Sequence, residues 1–149
     1  MIEVNNVSFE IDGRTILNDI NLKIPEGKIY GIIGPNGVGK TTLLRCLTGI
    51  YQTTKGLVKY DGEDVYDNPK VKEIIGYVAD ENIMHPNFRV KDLIKFYKYS
   101  YTKFDEKKFK ELNEIFKIPE RKFIFQLSKG MKMRLSIMLA FSIHAKYLI

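Results

Sequence analysis

A nine-residue stretch carries the residue types that bind phosphate groups. It consists of Gly34, Pro35, Asn36, Gly37, Val38, Gly39, Lys40, Thr41 and Thr42. The stretch fits the pattern G-x-x-x-x-G-K-[ST], in which glycines let the backbone turn its N–H groups toward phosphate oxygens. Lys40 can reach the β- and γ-phosphates of a nucleotide, and the Thr41 hydroxyl can ligate Mg²⁺.

Two elements must position this stretch. Residues 28–33 are almost continuously apolar, which predicts a buried parallel strand. After the glycines, four apolar residues at helical spacing predict a helix over residues 40–50: Leu43, Leu44, Leu47 and Ile50. The helix would aim the positive end of its dipole at the same anion. Strand, loop and helix in this order predict a phosphate-binding loop; the alternative is an ordinary glycine-rich turn.

The remaining first half predicts further strands. Residues 2–11 alternate loosely, residues 16–24 suggest a second and a third strand, and shorter strands are expected at 57–60 and 74–79. A helix with one apolar face follows, formed by Val90, Leu93, Ile94, Tyr97 and Tyr101. A second helix around 109–116 is expected to be capped by Asp105 and to end before Pro119. The first half is therefore mixed α/β, and the second is helical.

Length and composition predict an ordinary globular chain. With 149 residues, it is one domain or most of one. The polar start suggests no signal peptide, and no apolar run approaches the roughly 20 residues that span a bilayer. Cys46 is the single cysteine, and we expect it to be a buried apolar residue.

Positive charge is concentrated in the second half. Residues 1–75 carry 9 Lys/Arg against 10 Asp/Glu, whereas residues 76–149 carry 15 against 8. A basic half can bind nucleic acid or an anionic membrane surface. Because these lysines alternate with acidic residues on amphipathic helices, a solvated face is the preferred interpretation, and no nucleic acid is expected as a partner.

A second short motif begins the last predicted helix. It reads Leu-Ser-Lys-Gly-Met over residues 127–131 and precedes a strongly apolar stretch. Ser128 is a natural N-cap, and Gly130 removes a side chain from the first turn. Alone, the motif indicates only the start of a helix. Its position about 90 residues after a phosphate-binding loop favours a second phosphate-facing motif.

The two motifs in this order resemble the nucleotide-binding subunits of ATP-binding-cassette (ABC) transporters. Residues 34–42 are similar to the Walker A sequence of that family, including Pro35 and Asn36. Residues 127–131 resemble its LSGGQ signature, with Lys129 and Met131 in place of Gly and Gln. The L-S-K-G-M form looks most like the exporters of antibiotics, peptides or cell-envelope substrates. The resemblance covers the whole chain.

The resemblance implies a P-loop NTPase fold of ABC type, α/β, with an N-terminal antiparallel β-subdomain and an inserted α-helical subdomain, here truncated. The β-subdomain and P-loop core would span residues 1–80, and the helical subdomain with the signature helix 81–145. Residues 34–42 would hold ATP and Mg²⁺, with Thr42 also touching phosphate. Ser128 and Gly130 would face nucleotide held by a second nucleotide-binding subunit in a head-to-tail dimer. The helical subdomain would dock on an integral-membrane permease, placing the protein in the cytoplasm, peripheral to the cell membrane.

Two positions depart from the family pattern. Ile11 lies where the family usually stacks an aromatic ring on adenine, so base stacking would be weaker; Phe9 lies two residues away on the same side of the strand. Asp80 replaces a glutamine that approaches Mg²⁺ or the attacking water. It could still act through an oxygen, but its negative charge changes the site.

The last departure concerns hydrolysis. Residues 145–149 resemble the start of the buried strand that, in the family, ends in a Mg²⁺-binding Asp followed by the catalytic Glu. Neither residue follows in this sequence, and neither His85 nor His144 matches the family's switch histidine. We therefore expect the chain to bind ATP·Mg without efficient turnover, and to be of low stability or to self-associate.

Other functions stay open at this stage. A soluble ABC protein acting on ribosomes or DNA would fit the basic second half, but it commonly carries two cassettes or long insertions. A non-catalytic nucleotide-binding module is a second alternative. A different P-loop ATPase or kinase would make the motif at Ser128 and Gly130 a coincidence.

Overall fold

The computed structural model describes residues 1–79 and 84–149. The chain divides into two compact units, Met1–Lys72 and Glu73–Ile149. The division into subdomains over residues 1–80 and 81–145 stays a prediction, and Asp80 lies outside the described residues.

The first unit is built on an antiparallel sheet. Strand β1 (Ile2–Ile11) lies between β2 (Arg14–Ile24) and β3 (Lys55–Tyr60), and β4 (Glu63–Asp64) pairs with β3. The strands expected at 2–11 and 57–60 are confirmed, as is the antiparallel N-terminal sheet.

The expectation of two strands across residues 16–24 is wrong, because β2 is one continuous strand. Its pairing with β1 shifts register at three places instead. Asn6 and Asp19 adopt left-handed backbone conformations, with φ of 50° and 49°, and the Asn6 side-chain amide donates to Asp19 Oδ1 at 2.8 Å. Such irregularities bend and twist a strand pair without ending it, so the break in hydrophobic alternation marks a bulge.

Helix α1 (Lys40–Leu47) follows the glycine-rich stretch and contributes to the core of this unit. Leu43, Cys46 and Leu47 are buried, and the buried Tyr60 hydroxyl of β3 donates to the Leu47 carbonyl at 2.8 Å. The helix ends before the expected residue 50, because Gly49 turns the chain with a φ of 66°. A side chain at Gly49 would lie 2.8 Å from the Val65 carbonyl oxygen. A short helix, α2 (Pro69–Lys72), completes the unit.

The expectation of a buried parallel strand at residues 28–33 is wrong for this structure. The segment forms no strand, and Ile29 and Ile33 are almost fully exposed. A strand buried on both faces needs paired neighbours and covering elements. Within the described residues, no strand pairs with this segment. The apolar sequence of residues 28–33 is typical of a buried strand, but the segment is exposed because no described strand pairs with it.

The second unit contains a short parallel pair, β5 (Ile75–Gly76) and β6 (Tyr147–Leu148). The amide of Ile149 donates to the Gly76 carbonyl, and that of Val78 donates to the Ile149 carbonyl, both at 2.8 Å. Strands are therefore confirmed within 74–79 and 145–149, although each is shorter than expected.

Among its described residues, the second unit also contains three helices: α3 (Val90–Ser100), α4 (Glu106–Phe116) and α5 (Lys129–Ser142). A single 3-10 turn (Ile124–Gln126) precedes α5. The expected cap of α4 is confirmed, since Asp105 Oδ1 accepts from the Lys108 amide at 2.9 Å. This bond lowers the pKa of Asp105, assisted by His144 Nε2 at 3.0 Å.

One apolar cluster holds these helices together. Its members are Val90, Leu93, Ile94, Phe109, Ile118, Ile124, Leu127, Leu135, Met138 and Leu139. The face predicted for α3 is therefore packed at Val90, Leu93 and Ile94. In α4, Phe109 is packed, whereas Ile115 is 73% exposed and lies outside the cluster. Within the described part of the chain, we find no helix that is both long and apolar enough to cross a membrane.

Replacing a fully buried member of this cluster should destabilise the protein far more than replacing an exposed residue of the same chemistry. Leu135 is completely buried, so Leu135→Ala should lower the free energy of unfolding by about 2–5 kcal/mol. Ile115 is 73% exposed, so Ile115→Ala should change it by less than about 0.5 kcal/mol. Urea denaturation compares the two; equal losses would contradict the packing described.

Candidate functional site

The glycine-rich loop of residues 34–39 has the backbone geometry of an anion cradle. Gly37 and Gly39 adopt positive φ angles of 82° and 101°, which L side chains rarely tolerate. A side-chain carbon at Gly34 would lie 3.1 Å from Val38 Cγ1. The loop is exposed through residue 38 and becomes half-buried at Gly39. The loop residues before Gly39 are therefore accessible to a ligand.

Gly39 joins the loop to the sheet. It is the N-cap of α1, and its carbonyl accepts from the Leu43 amide at 2.8 Å. A side chain at this position would approach Leu17 Cδ2 to 3.1 Å and the Ile16 carbonyl oxygen to 3.2 Å. Both residues belong to β2. Glycine at position 39 therefore serves the turn and the close packing against β2 together.

The ammonium group of Lys40 is fixed at the loop. Its Nζ donates to the carbonyl oxygens of Gly34 and Pro35, each at 2.8 Å. These bonds fold the lysine back over the loop that precedes it, so its positive charge stands among the loop residues. A charge held in this way can meet a phosphate group without a large rearrangement of the chain.

The start of α1 adds to the positive potential. Its first turn contains Lys40, Thr41 and Thr42 and has no acidic residue, so its positive dipole end is not neutralised within the helix. Thr41 and Thr42 are half-buried. Cys46, one turn further on, is buried, and burial raises the pKa of its thiol to about 11. The cysteine is a packing residue, as expected.

The aromatic residues near Ile11 are arranged in a way that the sequence did not reveal. Ile11 is 51% exposed at the end of β1 and pairs with Arg14. The Phe9 ring stacks on Tyr51 with 5.1 Å between centroids and 6° between planes. Arg45 of α1 donates to the Tyr51 hydroxyl at 2.8 Å. One face of Phe9 is therefore occupied. Sequence reasoning missed Tyr51 because it lies 42 positions from Phe9 and in no motif.

The second motif forms a helix start in the second unit. Ser128 Oγ accepts from the Met131 amide at 3.2 Å, as an N-cap does. Gly130 lies in the first turn of α5, is exposed, and has open space where a side chain would stand. The first turn of α5 contains no acidic residue. Asp80, the remaining predicted site residue, lies outside the described residues.

The geometry defines what the loop can do chemically. Residues 34–42 combine exposed backbone donors, one fixed ammonium group, two hydroxyls and a helix N-terminus. These are the parts that bind nucleotide phosphates. Within the described residues, no cluster of three His, Cys, Asp or Glu side chains could hold a metal ion.

Comparison with known proteins gives the family. The model of the ABC transporter family matches residues 17–149. The ABC transporter ATP-binding protein YtrB of Bacillus subtilis is 38% identical over 142 residues, which are 95% of this chain and 49% of that protein. The lantibiotic transport ATP-binding protein SrtF of Streptococcus pyogenes is 35% identical over 95 residues, 64% of this chain and 41% of that protein.

Solved structures agree in fold. A putative ABC transporter ATP-binding protein from Pyrococcus furiosus has a TM-score of 0.79 at 26% identity and covers 99% of this chain and 74% of its own. The ATP-binding cassette MJ0796, solved as a dimer in a post-hydrolysis state with ADP and Pi, has a TM-score of 0.84 at 22% identity, with 99% and 72% coverage. At that identity the second likeness shows the fold alone.

The chain belongs to the ABC transporter family and has the α/β fold of its ATP-binding cassettes. It spans about half the length of the curated relatives it matches. The glycine-rich loop is accordingly the P-loop of this fold, and the residues 127–131 at the start of α5 also lie within the range that the family model matches. The loop and the signature lie in separate units of the structure.

Substitution of the two left-handed loop glycines should separate backbone strain from packing. Gly37→Ala has no neighbour within 4 Å, so it should cost only the left-handed strain, about 1–2 kcal/mol. Gly39→Ala adds overpacking against β2, typically about 1–3 kcal/mol more. Thermal and urea unfolding of both variants provide the measurement. Equal destabilisation would show that Gly39 is not confined by Ile16 and Leu17.

Proposed function

We propose that this chain is the ATP-binding part of a transport ATPase and that residues 34–42 hold ATP·Mg²⁺. The observation that carries the proposal is the position of Lys40, whose ammonium group is bonded to two loop carbonyls at the start of α1. The left-handed conformations of Gly37 and Gly39 support it, because they turn backbone N–H groups toward a bound anion.

Each residue of the loop has a proposed role. Lys40 neutralises charge on the β- and γ-phosphates, Thr41 supplies a hydroxyl oxygen to Mg²⁺, and Thr42 contacts phosphate. Mg²⁺ held by the Thr41 hydroxyl would offset part of the negative charge of the phosphates. Ile11 lies on the adenine side, where an aliphatic side chain stacks more weakly than a ring.

The assembly is also proposed. Ser128 and Gly130 face nucleotide held by a second nucleotide-binding subunit, so the working unit is a head-to-tail dimer. The open, exposed position of Gly130 supports this, since it leaves room for a phosphate near the α5 backbone. Helices α3 and α4 belong to the part that docks on a separate integral-membrane permease, which keeps the protein at the cytoplasmic face of the cell membrane.

Transport is proposed to be of the L-S-K-G-M exporter type. The sequence of residues 127–131 and the similarity to the lantibiotic transport protein SrtF support this assignment. ATP hydrolysis is proposed to drive transport. The 149 residues are proposed to bind ATP·Mg and to turn it over slowly, with Asp80 as a contact to Mg²⁺ or water.

Equilibrium titration with ATP·Mg tests the proposed binding site. Lys40→Ala should weaken binding roughly 10- to 150-fold, because hydrogen bonds to charged groups contribute about 1.5–3 kcal/mol. The matched control is Lys28→Ala, which removes the same charge from an exposed position outside the loop and should leave the affinity unchanged.

Two results would contradict the proposed function. One is saturable ATP binding that Lys40→Ala and Lys28→Ala affect equally, since the loop lysine would then have no special contact. The other is steady phosphate release by this chain that Lys40→Ala abolishes, which would contradict the slow turnover proposed for these residues.

Gly130→Ala separates stability from assembly. Alanine favours a helix interior over glycine by about 1 kcal/mol, and nothing lies near the added carbon. The variant should therefore be at least as stable as the wild type and bind ATP·Mg equally well as a single chain. Its ATP-dependent dimerisation, followed by light scattering, should be weaker. Unchanged dimerisation would exclude Gly130 from the proposed interface.

A further inference from the structure

The outward side of α3 combines lysines with large exposed aromatic rings. Val90, Leu93 and Ile94 of this helix are buried in the cluster of the second unit. The opposite side carries Lys91, Lys95, Phe96 and Tyr99, which we call the lysine–tyrosine face. Tyr99 is 92% exposed and Phe96 is 54% exposed. Exposure of two large rings to water within one helical turn is unfavourable.

The segment that contains α3 and the start of α4 is strongly positive. Residues 89–110 carry eight Lys/Arg against three Asp/Glu. Each of the three carboxylates is already engaged. Asp92 accepts from the Arg89 amide, Asp105 caps α4 and contacts His144, and Glu106 binds both Lys98 and Lys110. Across the described ranges, Lys91 and Lys95 take part in no ion pair. Their charge is therefore available to an external anion.

The residue types favour a lipid surface over nucleic acid. Arginine, whose planar fork matches phosphates and base edges, is the usual choice for nucleic-acid recognition. The cationic residues of the lysine–tyrosine face are both lysines. Nearby Arg89 lies over the Phe123 ring at 4.9 Å. Lysines attract anionic headgroups as point charges. Tyrosine and other amphipathic rings prefer the headgroup region of a membrane, because the apolar part of the ring contacts lipid while its polar end stays hydrated.

We propose that the lysine–tyrosine face lies against anionic phospholipid headgroups. Lys91 and Lys95 supply the electrostatic attraction, while Tyr99 and Phe96 enter the headgroup layer. Asp92 shares this side of the helix and opposes the attraction by one charge. The contact needs no nucleotide, so it is separable from the function proposed for residues 34–42. It would give the subunit a second attachment to the membrane beside a permease.

Vesicle co-sedimentation without nucleotide tests the contact. The full chain should bind vesicles of phosphatidylcholine mixed with phosphatidylglycerol and should not bind vesicles of phosphatidylcholine alone. Binding should fall with added salt, because exposed charges are screened. Equal binding to both vesicles, or no binding to either, would overturn the proposal.

Matched variants locate the contact. Lys91→Gln combined with Lys95→Gln should weaken binding roughly 25-fold, since each surface lysine contributes about 1 kcal/mol, or about fivefold. Lys70→Gln with Lys72→Gln removes the same charge from exposed positions on α2 and should have little effect. Equal losses in the two pairs would mean that net charge, and not this face, attracts the vesicles.

The aromatic part has its own test. Tyr99→Ser should reduce vesicle binding with no change in net charge or stability, whereas Ile115→Ser, at another exposed apolar position, should not. Unchanged binding by Tyr99→Ser would remove the ring from the contact and overturn that part. Binding of a single-stranded oligonucleotide provides the contrary outcome. If the oligonucleotide binds the wild type, displaces the vesicles and no longer binds the Lys91→Gln/Lys95→Gln variant, the face would be assigned to nucleic acid instead.

Discussion

The first unit depends on one constraint, the close approach of the P-loop backbone to β2 at Gly39. A side-chain carbon there would stand about 3.1 Å from Leu17 and 3.2 Å from Ile16, so the position admits no ordinary residue without movement. The same residue begins α1 and turns the chain with a φ of 101°. The packing of the loop against the sheet therefore also fixes the start of α1, where Lys40 lies.

The second unit follows a different logic. Its helices are held by a continuous apolar cluster that needs no ligand, and the Leu-Ser-Lys-Gly-Met motif begins α5. Ser128 satisfies a helix-terminal amide, and Gly130 leaves the first turn bare. The same residues that resemble a recognition motif therefore also cap a helix. For this reason the motif alone does not indicate a nucleotide-binding function, and its position after the P-loop is needed as well.

Local patterns predicted the parts of the fold that local interactions decide. The periodicity of Val90, Leu93 and Ile94, and the cap at Asp105, required only neighbours within a helix turn or two. The failures lie where distant partners decide. Residues 28–33 have the composition of a buried strand but no paired neighbour among the described residues, and β2 stays continuous through bulges that break its alternation. The Phe9–Tyr51 stack also depends on a tertiary contact, so the spacing of residues in the sequence does not predict it.

The central claim is that the backbone of the P-loop binds phosphate. The most direct measurement is amide NMR of the ¹⁵N-labelled chain with increasing ATP·Mg, read residue by residue. The account predicts that saturable shifts concentrate on the amides of residues 36–42, and that pyrophosphate with Mg²⁺ shifts the same amides while adenosine does not. Saturable shifts that leave these amides unmoved, or shifts produced equally by adenosine, would contradict it.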